Sequence, residues 1–234
     1  METIMEQAVR EREYTIELRR YFHRHPELGG EEFNTSKRVA EELKKMGLEP
    51  RVIGSYGTGI VCDIHGCAPG KTIALRADMD ALNVQELIDC PFKSETDGLM
   101  HACGHDGHTA SLLGAAKILV SRRDQFPGTV RLIFQPAEEL GTGADDMVKA
   151  GCLEGVDAAL GIHLWSGVKS GTISVEAGPR MAAANWFRYR LKGKGGHGAR
   201  PHQGVDAALA AAASVVNLQS VVSREFPADE PVVI

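Results

Sequence analysis

This sequence of 234 residues lacks the features of several large protein classes. It has no long run of Lys and Arg, its formal net charge is -5, and aromatic residues make up only 6% of it, so nucleic acid is not an expected partner. No apolar run approaches the roughly 18 residues of a membrane-spanning helix, and the N-terminal segment is charged from Glu2 to Arg20. We therefore expect a cytoplasmic protein without a membrane partner.

Cysteine is too scattered for a disulfide framework. The five cysteines form no Cys-x-x-Cys pair, and an odd number of them fits a reducing compartment better than an oxidising one. They are Cys62, Cys67, Cys90, Cys103 and Cys152. We interpret all of them except Cys103 as core or surface thiols.

The spacing of the apolar residues, which make up 43% of the chain, predicts an α/β fold with a full-sized core. Helical patterns and short apolar runs bounded by Gly and Pro alternate along the chain. The helices are predicted at 3–24, 34–46, 108–120 and 143–150, and the strands at 60–64, 72–75, 129–134 and 158–162. The first two strands could form a hairpin, and residues 34–36 supply candidates for a helix N-cap. The alternation predicts a mixed sheet with helices on both faces.

The pattern changes after about residue 178, so the predicted domains are 1–178 and 179–234. Residues 185–192 alternate as a half-exposed strand should. An Ala-rich helix is predicted from about 204 to 222, with Leu209 and Val216 in its buried stripe, and residues 231–234 resemble the start of another strand. One strand and one helix cannot easily close a core, so we expect a fragment of a longer protein.

Polar clusters follow directly after three predicted strands, at residues 76–80, at residues 135–139 and at His163. Open α/β sheets place their ligand sites at the carboxyl ends of strands. We therefore expect these clusters and the polar segment 101–108 to meet in one crevice.

The segment 101–108 carries three histidines, one cysteine and one aspartate within eight residues. Its glycines, Gly104 and Gly107, lower helix propensity by roughly 1 kcal/mol each, so we expect its ligand groups to converge from a loop. The apolar stretch that follows predicts that this loop leads into a helix N-terminus, where a thiolate is favoured.

Four residues of these clusters form a mixed set of sulfur, nitrogen and oxygen ligands: Cys103, His105, Glu139 and His163. Such a set suits Zn²⁺ and is also open to Mn²⁺, Co²⁺ or Ni²⁺. The adjacent Glu138 and Glu139 cannot point the same way, so one can bind metal while the other acts as a general base on a water molecule. The alternative for this pair is a solvated acidic turn.

Other polar residues have open alternatives. Asp78 and Asp80 share a face of an extended segment, so one of them could hydrogen-bond a ligating histidine and set its tautomer; alternatively, they cap the next turn. His197 lies in a Gly-rich loop ahead of a helix, where an ordinary surface histidine is an equally good interpretation. We interpret His23 and His25 as structural.

Five motifs in a fixed order give the chain a resemblance to a known family. They are RADMDAL at 76–82, HACGHDGH at 101–108, QPAEE at 135–139, GIH at 161–163 and GGHGARPH at 195–202. On these motifs the chain resembles the amidohydrolase branch of the aminoacylase and carboxypeptidase-G-like metallopeptidases, which includes hippurate hydrolases and plant auxin-conjugate hydrolases. The resemblance covers essentially all 234 residues.

The resemblance implies a fold, a cofactor and a reaction. It implies a zinc-exopeptidase-like catalytic domain followed by the start of an α+β lid or dimerisation domain, so a homodimer through the lid is expected. It implies a centre of two divalent metal ions held by Cys103, His105, Glu139 and His163. The implied reaction is hydrolysis of the amide in an N-acyl amino acid or a related conjugate, with dipeptidase activity on the same scaffold as an alternative.

The resemblance also implies roles for three further residues. Glu138 resembles the general base that deprotonates the attacking water, Asp80 the carboxylate that supports the site, and His197 the histidine that stabilises the oxyanion in the partner subunit's site. Family members are longer and add one more histidine ligand.

Two other classes remain open on the residues alone. A cysteine-nucleophile hydrolase could use Cys103, and chelators would not inhibit it. A non-catalytic metal-binding or oligomerisation module would bind metal and hydrolyse nothing.

Overall fold

The computed structural model describes residues 2–178, 187–227 and 232–234. Its backbone divides into two compact units, Met1–Thr172 and Ile173–Ile234. The first unit contains the four predicted metal ligands, and the second contains His197. Because residues 179–186 lie outside the described ones, the domain boundary at 178 stays a prediction.

The described part of the first unit consists of five α-helices and five strands. The helices are α1 (Ile4–Arg10), α2 (Arg12–Arg24), α3 (Phe33–Lys45), α4 (His105–Ser121) and α5 (Gly143–Lys149). The strands are β1 (Arg51–Ile53), β2 (Gly59–His65), β3 (Thr72–Asp78), β4 (Thr129–Gln135) and β5 (Ala158–Gly161).

The N-terminal helices depart from the predicted pattern in two places. The helix predicted at 3–24 is divided at Glu11 into α1 and α2, and the Glu11 carboxylate pairs with Lys117 of α4, a contact that periodicity alone does not reveal. α3 begins before the predicted caps at 34–36. The Glu27 carboxylate accepts hydrogen bonds from the N–H groups of Asn34 and Thr35 at 3.0 and 2.7 Å, so the cap comes from outside the helical segment.

The five strands form one mixed sheet in the order β1-β2-β4-β3-β5. β2 is antiparallel to β1 and β4, whereas β3 is parallel to β4 and β5. The predicted hairpin of β2 and β3 is wrong, because α4 carries the chain back across the sheet and β4 then inserts between them. As a result, the carboxyl ends of β3, β4 and β5 lie at the same edge of the sheet.

Apolar side chains fill both faces of the sheet. Leu132 and Phe134 of β4 join the large cluster with α2, α3 and α4, which includes Leu113. Ile133 joins the smaller cluster with Met147 of α5. Successive side chains of a strand point to opposite faces, so this alternation confirms the predicted α/β class with helices on both faces.

The second unit contains one α-helix among its described residues, α6 (Ala207–Ser220), which the Asp206 carboxylate caps. The strand predicted at 185–192 is not formed by residues 187–192, and residues 185 and 186 lie outside the described ones. Residues 232–234 are also irregular, while residue 231 of that predicted strand is not among the described residues.

The buried stripe predicted for α6 is wrong. Leu209 and Val216 are 67% and 71% exposed, and none of the described residues of the second unit is buried. Within the described part of this unit, α6 has no other α-helix or strand on which that stripe could pack. Over the described chain as a whole, no helix is both long and apolar enough to cross a membrane.

Candidate metal centre

The carboxyl edge of the parallel strands collects the residues that the sequence singled out. β3 and β4 end side by side, with Asp78 paired with Gln135, and β5 lies on the other side of β3. The first turn of α4 lies against the segment that follows β3, through hydrogen bonds between His105 and Asp80. This arrangement follows from the parallel pairing, which places the carboxyl ends of β3, β4 and β5 at the same edge of the sheet.

The segment 101–108 is only partly a loop, because α4 begins at His105. Gly104 precedes the helix with a left-handed φ of 90°, which L side chains rarely adopt. Gly107 lies inside the first turn, where an added Cβ would come within 2.4 Å of Leu164 Cδ1. The glycines therefore permit an abrupt helix start and a close contact, and they do not keep the segment from being helical.

His105 presents one ring nitrogen to the centre. Its Nδ1 donates to the backbone oxygen of Asp80 at 2.8 Å and lies 3.2 Å from Asp80 Oδ1, so Nε2 carries the lone pair. This Nε2 is buried without a hydrogen-bond partner and lies 3.8 Å from Glu139 Oε1, which is also buried and unpartnered. Two unsatisfied acceptors at this separation fit a shared cation.

Asp80 supports both of these groups. Besides its contacts with His105, its Oδ2 accepts a hydrogen bond from the backbone N–H of Glu139 at 2.9 Å. The geometry matches the predicted role of a carboxylate that sets a histidine tautomer, and neither oxygen caps a helix.

Cys103 and His163 face each other beside His105. Cys103 Sγ lies 3.6 Å from His163 Nε2, and His163 Nδ1 donates to the backbone oxygen of Leu164 at 2.6 Å, which leaves Nε2 free as an acceptor. The ligand atoms of Cys103, His105 and His163 lie within 4.8 Å of one another, as do those of His105, Glu138 and Glu139. The structure therefore brings the other three predicted ligands and the predicted base around His105.

The Cys103 thiol is in an unfavourable place for a free thiolate. Burial, together with the negative charge of Glu139 and its hydrogen bond to the thiol, raises the pKa of Cys103 to about 12. A cysteine nucleophile needs a lowered pKa, so this setting opposes the cysteine-nucleophile alternative. A bound cation would stabilise the same thiolate directly, so the surroundings favour Cys103 as a ligand.

Glu138 differs from its neighbour Glu139 in exposure, since their side chains are 41% and 24% exposed. Burial raises the pKa of Glu138, and the charges of Glu139 and Asp78 raise it further, against the opposing charge of His105. A carboxyl group with a raised pKa that remains open to solvent suits proton transfer better than permanent ligation.

A second group of potential ligands consists of Asp78, His105 and His108, but the ligand atoms of Asp78 and His108 already have hydrogen-bond partners. Asp78 Oδ1 accepts from His108 Nδ1, and Oδ2 accepts from Arg76, both at 2.6 Å. His108 Nε2 in turn accepts the Leu164 N–H at 2.7 Å. Although burial alone would raise it, the hydrogen bond from His108 and the nearby charges of His105 and Arg76 hold the pKa of Asp78 at about 2. Asp78 and His108 therefore contact the centre's surroundings through hydrogen bonds and have no free atom with which to bind an ion.

Glu32 fixes the turn that carries the two glutamates, and no sequence pattern predicts this role. Ala137 has a positive φ of 50°, and its N–H donates to Glu32 Oε1 at 2.7 Å. Glu32 is fully buried, and its other oxygen accepts from the Thr58 hydroxyl at 2.8 Å. A left-handed alanine is strained, so this turn depends on the groups that hold it.

The remaining predicted residue, His197, lies in an exposed segment of the second unit. Its Nδ1 accepts a hydrogen bond from the Ala199 N–H at 3.1 Å. Its role at a partner's site stays a prediction. His23 belongs to a separate buried cluster, in which it contacts Asp106 at 2.7 Å and Glu86 at 3.1 Å.

Comparison with known proteins gives a family match. The family model described as "Peptidase family M20/M25/M40" matches residues 74–232. This range begins inside β3 and covers the whole of the candidate metal centre.

The curated relatives are named as carboxypeptidases, amidohydrolases and hydrolases. The chain is 45% identical to thermostable carboxypeptidase 1 of Saccharolobus solfataricus, covering 95% of this chain and 57% of that protein. It is 47% identical to an N-acyl-L-amino acid amidohydrolase of Geobacillus stearothermophilus, covering 94% and 59%. It is 46% identical to an IAA-amino acid hydrolase of Arabidopsis thaliana, covering 94% and 50%. The chain thus spans about half to three fifths of their length.

Two solved structures share the fold at substantial identity. One is a dinuclear metal-binding peptidase of Bacillus subtilis, with 44% identity and a TM-score of 0.69 over 74% of this chain and 48% of that chain. The other is described as a putative aminohydrolase of Staphylococcus aureus, with 39% identity and a TM-score of 0.80 over 97% and 61%.

Proposed function

Because the chain belongs to peptidase family M20/M25/M40, we propose that it is the metal-binding part of an enzyme that hydrolyses the amide bond of N-acyl amino acids or related conjugates. The observation that carries the proposal is the pair of buried, unpartnered acceptors, His105 Nε2 and Glu139 Oε1, at 3.8 Å. The names of the amidohydrolase relatives support the substrate class.

The proposed cofactor is a pair of divalent metal ions, drawn from Zn²⁺, Mn²⁺, Co²⁺ and Ni²⁺. The residues that would hold them are Cys103, His105, Glu139 and His163. When bound, such ions polarise a carbonyl group and lower the pKa of water. The Bacillus subtilis relative described as dinuclear supports the count of two.

Glu138 is the proposed general base. Its carboxylate takes a proton from the attacking water and delivers it to the nitrogen of the leaving amine as the amide C–N bond breaks. Its position beside His105, at 3.9 Å between Glu138 Oε2 and His105 Nε2, supports this role. Asp80 holds the ring of His105 and the backbone of Glu139 while the proton moves.

We propose that the second unit takes part in forming a homodimer. Residues 179–234 would begin a lid or dimerisation domain, and His197 would stabilise the oxyanion in the partner subunit's site. The motif at 195–202 supports this assignment. A reducing location such as the cytoplasm is proposed as well, because all five cysteines are free and a thiol ligand must stay reduced.

The test is hydrolysis by this chain and by a version joined to the C-terminal remainder of the Geobacillus stearothermophilus relative. The substrates are N-acetyl-L-methionine, N-benzoylglycine and a dipeptide, which separate the amidohydrolase from the dipeptidase alternative. We expect chelator-sensitive hydrolysis of the N-acyl amino acids by the joined protein. In it, Glu138→Gln should lower turnover by about 100-fold or more while metal content is retained.

Two results would contradict the proposal. Hydrolysis that survives complete metal removal would exclude the metal-assisted reaction. A folded, metal-loaded joined protein that cleaves none of the substrates would favour a non-catalytic metal-binding module.

A further inference from the structure

We propose that His108 is a positioning residue for His163, and that it acts through the backbone of Leu164. The inference rests on the proposed function in one respect, namely that His163 is a metal ligand. His108 itself has no free ring nitrogen with which to bind an ion.

A continuous chain of hydrogen bonds connects the two histidines. Asp78 Oδ1 accepts from His108 Nδ1 at 2.6 Å, and His108 Nε2 accepts from the Leu164 N–H at 2.7 Å. The Leu164 carbonyl then accepts from His163 Nδ1 at 2.6 Å. The Asp78 carboxylate fixes the tautomer of His108, so that His108 Nε2 accepts the Leu164 N–H. The Leu164 carbonyl is an acceptor in any case, so His108 acts on the tautomer of His163 by holding the Leu164 backbone, and with it this carbonyl, in place.

The packing around Leu164 holds the same arrangement. The Leu164 side chain lies over Gly104 and Gly107, where added Cβ atoms would come within 3.3 and 2.4 Å of it. The rings of His108 and His163 contact each other edge to face, with centroids 4.7 Å apart. His108 thus fixes the backbone beside His163 and also contacts its ring.

This support matters because the chain around His163 has little other burial. β5 ends at Gly161, and Ile162 and Trp165 on either side of the site segment are 72% and 57% exposed. His108, by contrast, is buried in the first turn of α4 with 5% exposure. A rigid, buried residue therefore orients a ligand that an exposed segment carries.

Two substitutions at His108 separate its two hydrogen bonds. The amide of Asn reaches about as far as Nδ1, so His108→Asn keeps the contact with Asp78 and loses the one with Leu164. The amide of Gln reaches about as far as Nε2, so His108→Gln can accept the Leu164 N–H again. The control is Ala116→Gly, a destabilising change at a buried position of the same helix, away from the centre.

The first readouts need no metal. In the metal-free chain, we expect hydrogen exchange of the Leu164 amide to be about tenfold or more faster in His108→Asn, and close to the parent rate in His108→Gln and Ala116→Gly. Nitrogen chemical shifts should show the Nδ1–H tautomer of His163 in the parent and a mixture of tautomers in His108→Asn. Unchanged exchange and tautomer in His108→Asn, or equal loss in His108→Gln, would overturn the inference.

The second readout is metal affinity, measured by competition with a chelator, together with the visible spectrum of bound Co²⁺. His108→Asn should weaken binding by about 10-fold to 100-fold and alter the spectrum, and His108→Gln should recover part of the loss. Parent-like affinity in His108→Asn would overturn the positioning role. A parent chain that binds no metal would contradict the proposed function instead, and the Leu164 and His163 readouts would still decide the inference.

Discussion

His105 Nε2 and Glu139 Oε1 lie 3.8 Å apart, and both atoms are buried without a hydrogen-bond partner. A buried acceptor left unsatisfied costs about 1–3 kcal/mol. In the neutral imidazole, His105 Nδ1 donates its only proton to Asp80, so neither atom of the pair can donate to the other. A cation relieves both costs at once, so metal binding and stability are expected to be coupled.

The first prediction concerns metal and thermal stability. Zn²⁺ or Co²⁺ should raise the melting temperature of the chain, and the stabilisation should approach about 2.7 kcal/mol at a free metal concentration of 100 times the Kd. Cys103→Ala and Glu139→Ala should lose the bound metal and this stabilisation. Calorimetry with elemental analysis measures both. The control is Cys67→Ala, which removes an exposed cysteine outside the centre, and retained metal in the Cys103 variant would contradict its assignment.

The second prediction concerns Glu32. Glu32→Gln replaces one acceptor oxygen with a donor where three donors now converge, from Gly30, Thr58 and Ala137. The free energy of unfolding should fall by about 1–3 kcal/mol in urea titrations. The neighbouring exposed Glu31→Gln should change it by less than about 0.5 kcal/mol. Equal effects of the two substitutions would show that the buried carboxylate does not hold the Ala137 turn.

The positions of the predicted ligands were accessible from sequence because they depend on local order. Each candidate follows a predicted strand or precedes a predicted helix, and parallel pairing then turns the ends toward one edge. The order of the strands was not accessible, since the insertion of β4 between β2 and β3 is a pairing between distant segments. Glu32 was missed for the same reason, because its partner Ala137 is a tertiary contact.

Two residues of the polar segment 101–108, Gly107 and His108, have roles in the structure that differ from those their residue types suggest. Gly107 predicts a loop from its propensity, yet it lies in the first turn of α4, where the Leu164 side chain leaves no room for a Cβ. His108 shares a helical face with His105 at this spacing, which suggests a ligand. Only the folded position of the Leu164 N–H reveals that its nitrogen is already occupied.

The third prediction concerns pH and a pair remote from the centre. Arg131 of β4 donates two hydrogen bonds to Asp63 of β2, at 2.8 and 2.9 Å, and these bonds lower the pKa of Asp63. A lowered folded-state pKa gives stability that is present above the unfolded value and lost as the pH falls through the folded value. The free energy of unfolding of Asp63→Asn should therefore fall by about 1 kcal/mol less than that of the parent as the pH is lowered below about 4. Urea titrations from pH 3 to 7, with exposed Asp97→Asn as the control, measure this. A parent-like acid decline in Asp63→Asn would contradict the assignment.

The fourth prediction concerns two glycines of α4 that make similar close contacts. An added Cβ would lie 2.4 Å from Leu164 Cδ1 at Gly107, and 2.5 Å from Thr15 Oγ1 at Gly114. Both substitutions to Ala gain helix propensity, worth about 1 kcal/mol, and both force a neighbouring side chain to move.

Only at Gly107 does the displaced neighbour belong to the segment that orients His163. Gly107→Ala should therefore weaken metal binding by about tenfold or more, in the range found when groups that orient a ligand are disturbed. Gly114→Ala should leave the metal affinity unchanged whatever it does to the free energy of unfolding. Chelator competition and urea titration on the same preparations separate the two effects. If both variants lose metal affinity in proportion to their loss of stability, then the position of Leu164 does not affect metal binding. In that case the hydrogen bonds from Asp78 through His108 and Leu164 do not determine the orientation of the His163 ring.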